Sequence, residues 1–173
     1  MNEELFSTME IDAIGEILNI SLGSSATSVS GMLDRRVNIT TPVVKVLAAD
    51  DFHFQALEPA IGVEINYISG LSGTNVMILK ETDVKAIVGL LLGTDYSEEE
   101  FVMDEMSISA ICEVMNQMMG ASSTALSQFL NRTVNISTPQ SFTIEDSEEF
   151  KKKYYGGEED IVTVSFQLMI EDM

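Results

Sequence analysis

The sequence predicts an α+β fold built as a pseudo-two-fold tandem repeat, with two long helices paired on one face of a largely antiparallel sheet. Three observations lead to this prediction. Residues 12–42 recur as residues 109–139, each copy opens with a long helical period, and alternating apolar runs follow each helix. Hydrophobic residues make up 45% of the chain, which is enough to form a sizeable core. We therefore expect residues 1–173 to form a single domain made of two repeats.

The internal repeat defines which residues are equivalent. Placed 97 residues apart, Asp12–Pro42 and Ser109–Pro139 are identical at 15 of 31 positions without a gap. We expect the repeats to span about residues 7–93 and 104–173, joined by an acidic linker at 94–103. The first repeat continues into a returning strand and a short helix that have no counterpart after Ile170, so the second repeat is interpreted as truncated.

Each repeat is predicted to begin with its long helix. Ser7 followed by Glu10 forms a capping box, which places the first helix start near residue 8. Apolar residues keep a helical period to Leu33, and the copy runs from about Asp104 to Leu130. In its middle each helix carries a small-residue stretch, Gly23-Ser-Ser-Ala-Thr and Gly120-Ala-Ser-Ser-Thr. Glycine costs about 1 kcal/mol in a helix interior, so we expect close helix–helix approach there to compensate.

The strands are predicted after each helix. The stretches 37–46 and 134–144 are rich in β-branched residues, and residues 62–68 alternate up to a turn at 70–73. A returning strand at 75–79 and a short helix at about 83–92 follow. Residues 161–170 alternate like the first strand of that hairpin. Since no returning strand is seen beyond them, we expect an open sheet edge there that permits self-association.

Charge and composition exclude several classes of function. With 28 acidic and 9 basic residues the formal charge is −19, which disfavours binding to nucleic acid or to an anionic membrane. No apolar run approaches the roughly 20 residues of a membrane span, and the acidic start is unlike a signal peptide. A chain with one cysteine cannot form an internal disulfide. We expect a cytoplasmic protein without membrane insertion.

Few side chains favour metal or thiol chemistry. His53 and Cys112 are the only histidine and the only cysteine, so we expect no metal site and no cofactor in this chain. Glu113 adjoins Cys112, and a neighbouring negative charge disfavours the thiolate, so we expect no reactive thiol. The basic run Lys151–Lys153 is interpreted as a solvated loop.

One stripe of each long helix carries residues suited to hydrolysis. A polar residue, a glutamate, an asparagine and a glycine follow at i, i+4, i+7 and i+11: Asp12, Glu16, Asn19 and Gly23 in the first copy, and Ser109, Glu113, Asn116 and Gly120 in the second. An asparagine side chain can hold a water by donating and accepting hydrogen bonds, and a glutamate can pair with a cation or accept a proton. This pair suits hydrolysis of a bond that is already activated elsewhere. A solvated polar helix face without chemistry is the alternative.

Both stripes resemble the signature of the CheC/CheX/FliY family of chemotaxis phosphatases. Each fits the pattern Asp/Ser-x-x-x-Glu-x-x-Asn-x(22)-Pro, which closes at Pro42 and at Pro139. The fragments Glu64-Ile-Asn-Tyr and Gly70-Leu-Ser-Gly are similar to the FliY branch, in particular to the CheC-like middle domain of FliY. The resemblance covers essentially the whole chain. It implies a CheC-like fold, as either an excised FliY middle domain or a short CheC-like paralogue.

The resemblance also implies a reaction and a partner. In this family the phospho-aspartate of the response regulator CheY is hydrolysed, with asparagine orienting the attacking water and glutamate pairing with a receiver lysine. Carried over to this sequence, Asn19 and Asn116 would orient the water, and Glu16 and Glu113 would dock the receiver. The Mg²⁺ ion would belong to the phosphorylated receiver and not to this chain, and the two prolines would be architectural.

Other functions within the same family stay open. The chain could be a non-catalytic module that binds phosphorylated CheY or acts as a scaffold in the flagellar switch, or it could regulate the deamidase CheD. A role in the flagellar switch implies a location at the flagellar basal body. Leu18 stands where many relatives have glycine before the asparagine. We expect it to narrow the first site, so that Asn116 carries the larger share of activity.

Overall fold

A computed structural model of the protein describes residues 6–54, 57, 59–96, 101–157 and 160–172. Each half of the chain begins with a long helix that is followed by two short strands, as expected for a tandem repeat. The helices and strands are α1 Thr8–Leu33, β1 Val37–Ile39, β2 Val43–Ala48, β3 Ala60–Ser69, β4 Gly73–Lys80, α2 Glu81–Leu92, α3 Glu105–Leu130, β5 Asn135–Ile136, β6 Gln140–Ile144, α4 Ser147–Tyr155, β7 Asp160–Ser165 and β8 Leu168–Ile170.

The two long helices, α1 and α3, begin at equivalent residues. The predicted capping box is confirmed, because the Ser7 hydroxyl accepts from the Glu10 amide at 3.3 Å and the Glu10 carboxylate accepts from the Ser7 amide at 2.8 Å. At the equivalent position of α3, the Asp104 carboxylate accepts from the Ser107 amide at 2.8 Å. Both caps satisfy amides that the first helical turn leaves without partners.

The helices also end in the same way. Asp34 and Asn131, which are equivalent, both adopt the left-handed conformation with φ of 51° and 50°, a conformation that Asp and Asn tolerate better than most residues. The Ser30 hydroxyl accepts from the Val37 amide at 2.8 Å, and the Ser127 hydroxyl accepts from the Val134 amide at the same distance. The matching geometry supports the predicted pseudo-two-fold relation.

The strands of the two repeats are exchanged. β3 pairs with β4 on one edge and with β5 and β6 on the other, while β2 pairs with β7 and β1 with β8. The span from β7 to β8 is the second repeat's counterpart of β3, so each repeat pairs its long strand with strands of the other. The repeats therefore complete one another. Every one of these pairings is antiparallel, and the predicted fold class is confirmed, although the strands form three separate sheets.

The main core lies between the helices and β3. Ile61 and Ile65 of β3 are 1% exposed and pack with Val88 of α2 and with Ile111 and Met118 of α3. A second, aromatic cluster lies under α4, where Phe150 packs edge-on against Phe54 with ring centroids 5.3 Å apart. This arrangement places α1 and α3 side by side, with one stripe of each facing outward. None of the described helices is both long enough and apolar enough to cross a bilayer.

The long helices approach closely at the small-residue stretch of α1, as predicted, but Gly23 and Gly120 do not make the contact. A Cβ atom added at Gly23 or at Gly120 would have no neighbour within 4 Å. The contact is made by small hydroxyl residues, because buried Ser25 donates across the interface to the Met118 carbonyl at 2.7 Å. The two glycines lie on the outward stripe, where they leave space in front of the helix.

The prediction that the basic run at residues 151–153 forms a solvated loop is wrong. Lys151–Lys153 belongs to α4, whose N-cap Asp146 accepts from the amides of Glu148 at 2.8 Å and Glu149 at 3.3 Å. The helix buries only Phe150. A helix of nine residues spans only two to three turns, which is too short for a helical period to stand out in the sequence.

The predicted acidic linker can be checked in part, since residues 97–100 lie outside the described residues. On either side of that gap, Tyr96 and Phe101 pack edge to face with ring centroids 5.4 Å apart. Both rings, together with Met103, pack against the main core. The described ends of the linker thus contribute three apolar side chains, Tyr96, Phe101 and Met103, to the packing of the core.

Candidate functional site

The structure brings the predicted side chains together on the surface of each long helix. Asp12, Glu16 and Asn19 are exposed on α1, and their counterparts Ser109, Glu113 and Asn116 are exposed on α3. Helical geometry separates a glutamate from the asparagine three residues later by about 4.5 Å along the axis. Each stripe therefore presents one carboxylate and one carboxamide side by side to anything that docks on it.

A surface depression of about 270 Å³ lies in front of the first stripe, between α1 and the segment leading into β2. Its lining combines the stripe with residues that precede or begin β2: Ile11, Asp12, Gly15, Glu16, Asn19, Thr41, Pro42 and Val44. Pro42 is buried and forms part of the wall, in keeping with the architectural role expected of it. The depression leaves space for a partner's group beside the Asn19 carboxamide.

Gly15 keeps this depression clear. A Cβ atom at this position would lie 3.9 Å from the Val44 side chain, so the missing side chain leaves space between helix and strand. The equivalent residue of α3 is Cys112, which is half-buried. The second copy therefore has a thiol side chain where the first copy has none.

The two glutamates differ in their hydrogen bonds. The Gln117 amide nitrogen donates to Glu113 Oε1 at 3.0 Å, one helical turn away. The equivalent of Gln117 in α1 is Ile20, which is 45% exposed and has no group to donate. Among the described residues neither Glu16 nor Glu113 forms a salt bridge. Both carboxylates are therefore available to an external cation, but only Glu113 is held in place.

The reason for expecting the first site to be narrow is wrong. Leu18 is half-buried and is not among the residues that line the depression. Its counterpart Met115 is 1% exposed and belongs to the main core. A side chain at this position lies about 100° around the helix from the asparagine and so does not share the outward stripe.

The Glu64-Ile-Asn-Tyr fragment lies away from both stripes and has a structural role. Glu64 of β3 accepts from the Tyr154 hydroxyl at 2.7 Å and from the Asn66 amide at 3.1 Å. The Tyr154 hydrogen bond, followed by that of Asn66, holds the pKa of Glu64 below its ordinary value. Burial and the bond to Glu64 raise the pKa of Tyr154. The network ties α4 of the second repeat to β3 of the first.

The described residues include no group of three His, Cys, Asp or Glu side chains placed to hold a metal ion. His53 is exposed, and its Nδ1 lies 3.5 Å from Lys151 Nζ.

Sequence reasoning missed several residues that shape the site. Gly15, Thr41 and Val44 line the depression, and Gln117 orients a glutamate. A signal for two of them was present in the repeat. Positions 15 and 112 differ, as do positions 20 and 117, within a stripe whose glutamates and asparagines are identical.

Comparison with known proteins places this architecture in a family. The profile of the CheC-like family matches residues 9–46 and 106–142, one segment in each of the two repeats. The chain is 38% identical over 167 residues to the flagellar motor switch phosphatase FliY of Bacillus subtilis (strain 168), covering 96% of this chain. It is 27% identical over 135 residues to the CheY-P phosphatase CheC of the same organism, covering 76% of this chain.

The structure agrees with these similarities. It superimposes on the crystal structure of Thermotoga maritima FliY with a TM-score of 0.84 and 35% identity, over 98% of this chain and 87% of the other. The chain spans 44% of the length of the B. subtilis FliY and 65% of the length of the B. subtilis CheC.

Proposed function

Since the chain belongs to the CheC-like family, we propose that it is a phosphatase domain that hydrolyses the aspartyl phosphate of the response regulator CheY. Two similar proteins are named as phosphatases, and one of them as a CheY-P phosphatase. The observation that carries the proposal is the exposed glutamate–asparagine pair, which the fold presents twice at equivalent places. Neither side chain is a good nucleophile, so water is the attacking group.

In the proposed reaction, Asn19 or Asn116 enters the phosphorylated site of the receiver. The carboxamide oxygen accepts a hydrogen bond from a water, and the amide nitrogen donates to that water or to a phosphoryl oxygen. The water oxygen forms a bond to phosphorus as the bond between phosphorus and the aspartyl oxygen breaks. The electron pair stays on the receiver's carboxylate, and the water's protons pass to phosphate and solvent. Such a loose transition state depends more on positioning than on a strong base.

Glu16 and Glu113 provide docking in this proposal. A carboxylate beside the asparagine attracts a lysine at the receiver's phosphorylation site and fixes the approach of the carboxamide. The formal charge of −19 adds long-range attraction for a basic partner surface. The Mg²⁺ that neutralises phosphoryl charge is bound by the receiver. Similarity to a motor switch phosphatase extends the proposal to a location at the flagellar switch.

The proposal is tested by release of inorganic phosphate from phosphorylated CheY. Wild type should accelerate release, and the double variant Asn19→Ala/Asn116→Ala should lose about 10² to 10⁴ of that acceleration while still folding. Asn38→Ala is the control, because Asn38 is exposed in β1 and lies outside both stripes. A folded double variant with full activity would refute the asparagine mechanism. A wild type that binds phosphorylated CheY without accelerating release would favour the non-catalytic module.

A further inference from the structure

The two sites differ at one position that touches a proposed docking residue. Gln117 donates its side-chain amide to Glu113 Oε1 at 3.0 Å, whereas Ile20 occupies the equivalent place beside Glu16. Both residues are exposed, and Ile20 is exposed by 45% although it is apolar. Burial in the core therefore does not explain either choice.

The hydrogen bond restricts Glu113 without occupying it fully. A carboxylate has two oxygens, and Gln117 uses only Oε1, so Oε2 stays free to meet a cation. A bond to the residue one turn further on directs the glutamate along the helix, toward the level of Asn116. Binding of the receiver at the second site therefore costs less side-chain entropy, because Glu113 is already restricted. Binding at the first site must immobilise a flexible Glu16.

The helix beneath the two sites differs in the same sense. The buried residues of α1 begin at Ser21, so the part that carries Asp12, Glu16 and Asn19 has no buried side chain. In α3 the equivalent part is anchored by five buried residues: Ser107, Ala110, Ile111, Val114 and Met115. Gln117 thus orients a side chain on a helix segment that is itself fixed.

We propose that Gln117 is a positioning residue that holds Glu113 in an orientation suited to the receiver. The difference between Gln117 and the equivalent Ile20 then makes the second site preorganised and the first site adaptable. This inference rests on the proposed phosphatase function. Gln117 does not itself touch the reacting phosphoryl group. Its effect should consequently fall on binding of the receiver and leave the chemical step unchanged.

The test isolates each site before changing position 117 or 20. In an Asn19→Ala background only the second site works, and Gln117→Met there removes the donor at nearly constant volume and helix propensity. KM and Kd for phosphorylated CheY should rise by roughly 2- to 10-fold, with kcat unchanged. In an Asn116→Ala background, Ile20→Gln should lower KM of the first site by a similar factor. Gln128→Ala is the control, since Gln128 is exposed on α3 away from the stripe.

The hydrogen bond also has a readout that needs no partner. In ¹⁵N-labelled protein the side-chain amide resonances of Gln117 should shift in Glu113→Ala, and those of Gln128 should stay in place. Unchanged Gln117 resonances, an unchanged KM and Kd in Gln117→Met, or a loss confined to kcat would each overturn the positioning role. A higher KM in Ile20→Gln would show that Ile20 itself contacts the receiver. If the parent variants bind phosphorylated CheY without hydrolysing it, the phosphatase proposal fails while Kd still decides the role of Gln117.

Discussion

The helices α1 and α3 are copies of one another, yet they are anchored differently. Both have 26 residues, equivalent N-caps and left-handed C-caps. α1 buries six residues, all in its second half, whereas α3 buries ten along its whole length. The difference follows from the main core, which α2 and Phe101 also join: six buried residues of α3 belong to it, whereas Val29 and Leu33 are its only buried members from α1 among the described residues.

This contrast separates what the duplicated helix must keep from what it may change. The glutamate and asparagine of the stripe are identical in both copies, and so is the serine that binds the amide after each helix. The buried flank, residue 15/112 and residue 20/117 have diverged. In our interpretation the two copies present the same pair of chemical groups from supports of different rigidity and accessibility.

The largest expected effect concerns the rigidity of the two supports. Amides of residues 12–20 in α1 should exchange with solvent about 10- to 100-fold faster than those of residues 109–117 in α3, because segments with few buried contacts open at low free-energy cost. Hydrogen–deuterium exchange followed by mass spectrometry or NMR measures this directly. Residues 21–33, which contain the buried residues of α1, provide the internal control. Equal protection of the two segments would contradict the comparison.

The next prediction concerns access to the first site. Gly15→Leu adds a side chain larger than the thiol at the equivalent position of α3; its Cβ would lie 3.9 Å from the Val44 side chain, and its branched end should fill the depression. In an Asn116→Ala background we expect kcat/KM for phosphorylated CheY to fall by about 10-fold, because misplacing a reacting group by about 1 Å is costly.

The matched control is Gly31→Leu, which makes the same change on the same helix. A Cβ atom there has no neighbour within 4 Å, and Gly31 lies outside the depression. It should leave kcat/KM unchanged. If both variants lose activity equally, the loss comes from the helix and not from the depression.

The sequence predicted the features that depend on local chemistry. A capping box needs only Ser7 and Glu10, and a stripe needs only helical spacing, so the helices and the outward pairs were both found. The exchange of β3 and of the β7–β8 span between the repeats was not predicted, because alternation marks a strand but does not identify its neighbour. The predicted contribution of Gly23 to helix packing was wrong, because a small residue in a helix is equally suited to close packing and to an open surface.

For the candidate site, too, the sequence predicted what depends on helical spacing and did not predict what other segments contribute. The side chains that define the stripe were identified, and all lie on the surface as expected. Contributions from other segments, such as the wall formed by Thr41 and Val44, depend on how β2 packs beside α1. Divergence between equivalent residues, as at Gly15, was the remaining signal in the sequence.

The smallest expected effect concerns a third difference between the repeats, the helix α4. In the corresponding connection of the first repeat, the described residues include a short 3₁₀ turn at Ala49–Asp51. α4 is tied to β3 through the Tyr154 hydroxyl, which donates to Glu64 at 2.7 Å and is the first cause of that residue's lowered pKa. Tyr154→Phe should destabilise the fold by about 1 kcal/mol at neutral pH, a modest value because Glu64 is only half-buried.

The pH dependence of this loss distinguishes a charged hydrogen bond from simple packing. Because the pKa of Glu64 in the folded protein lies below its ordinary value of 4.5, its contribution is present above that value and is lost as pH falls through the folded pKa. The difference in unfolding free energy between wild type and Tyr154→Phe should therefore shrink as pH falls below 4.5, as measured by urea denaturation. Tyr155→Phe is the matched control, since its hydroxyl is buried without a hydrogen-bond partner among the described residues. Removing that hydroxyl should be neutral or stabilising at every pH. A constant difference for Tyr154→Phe across the acid range would show that the ring's packing, and not its bond to Glu64, secures α4 to the first repeat.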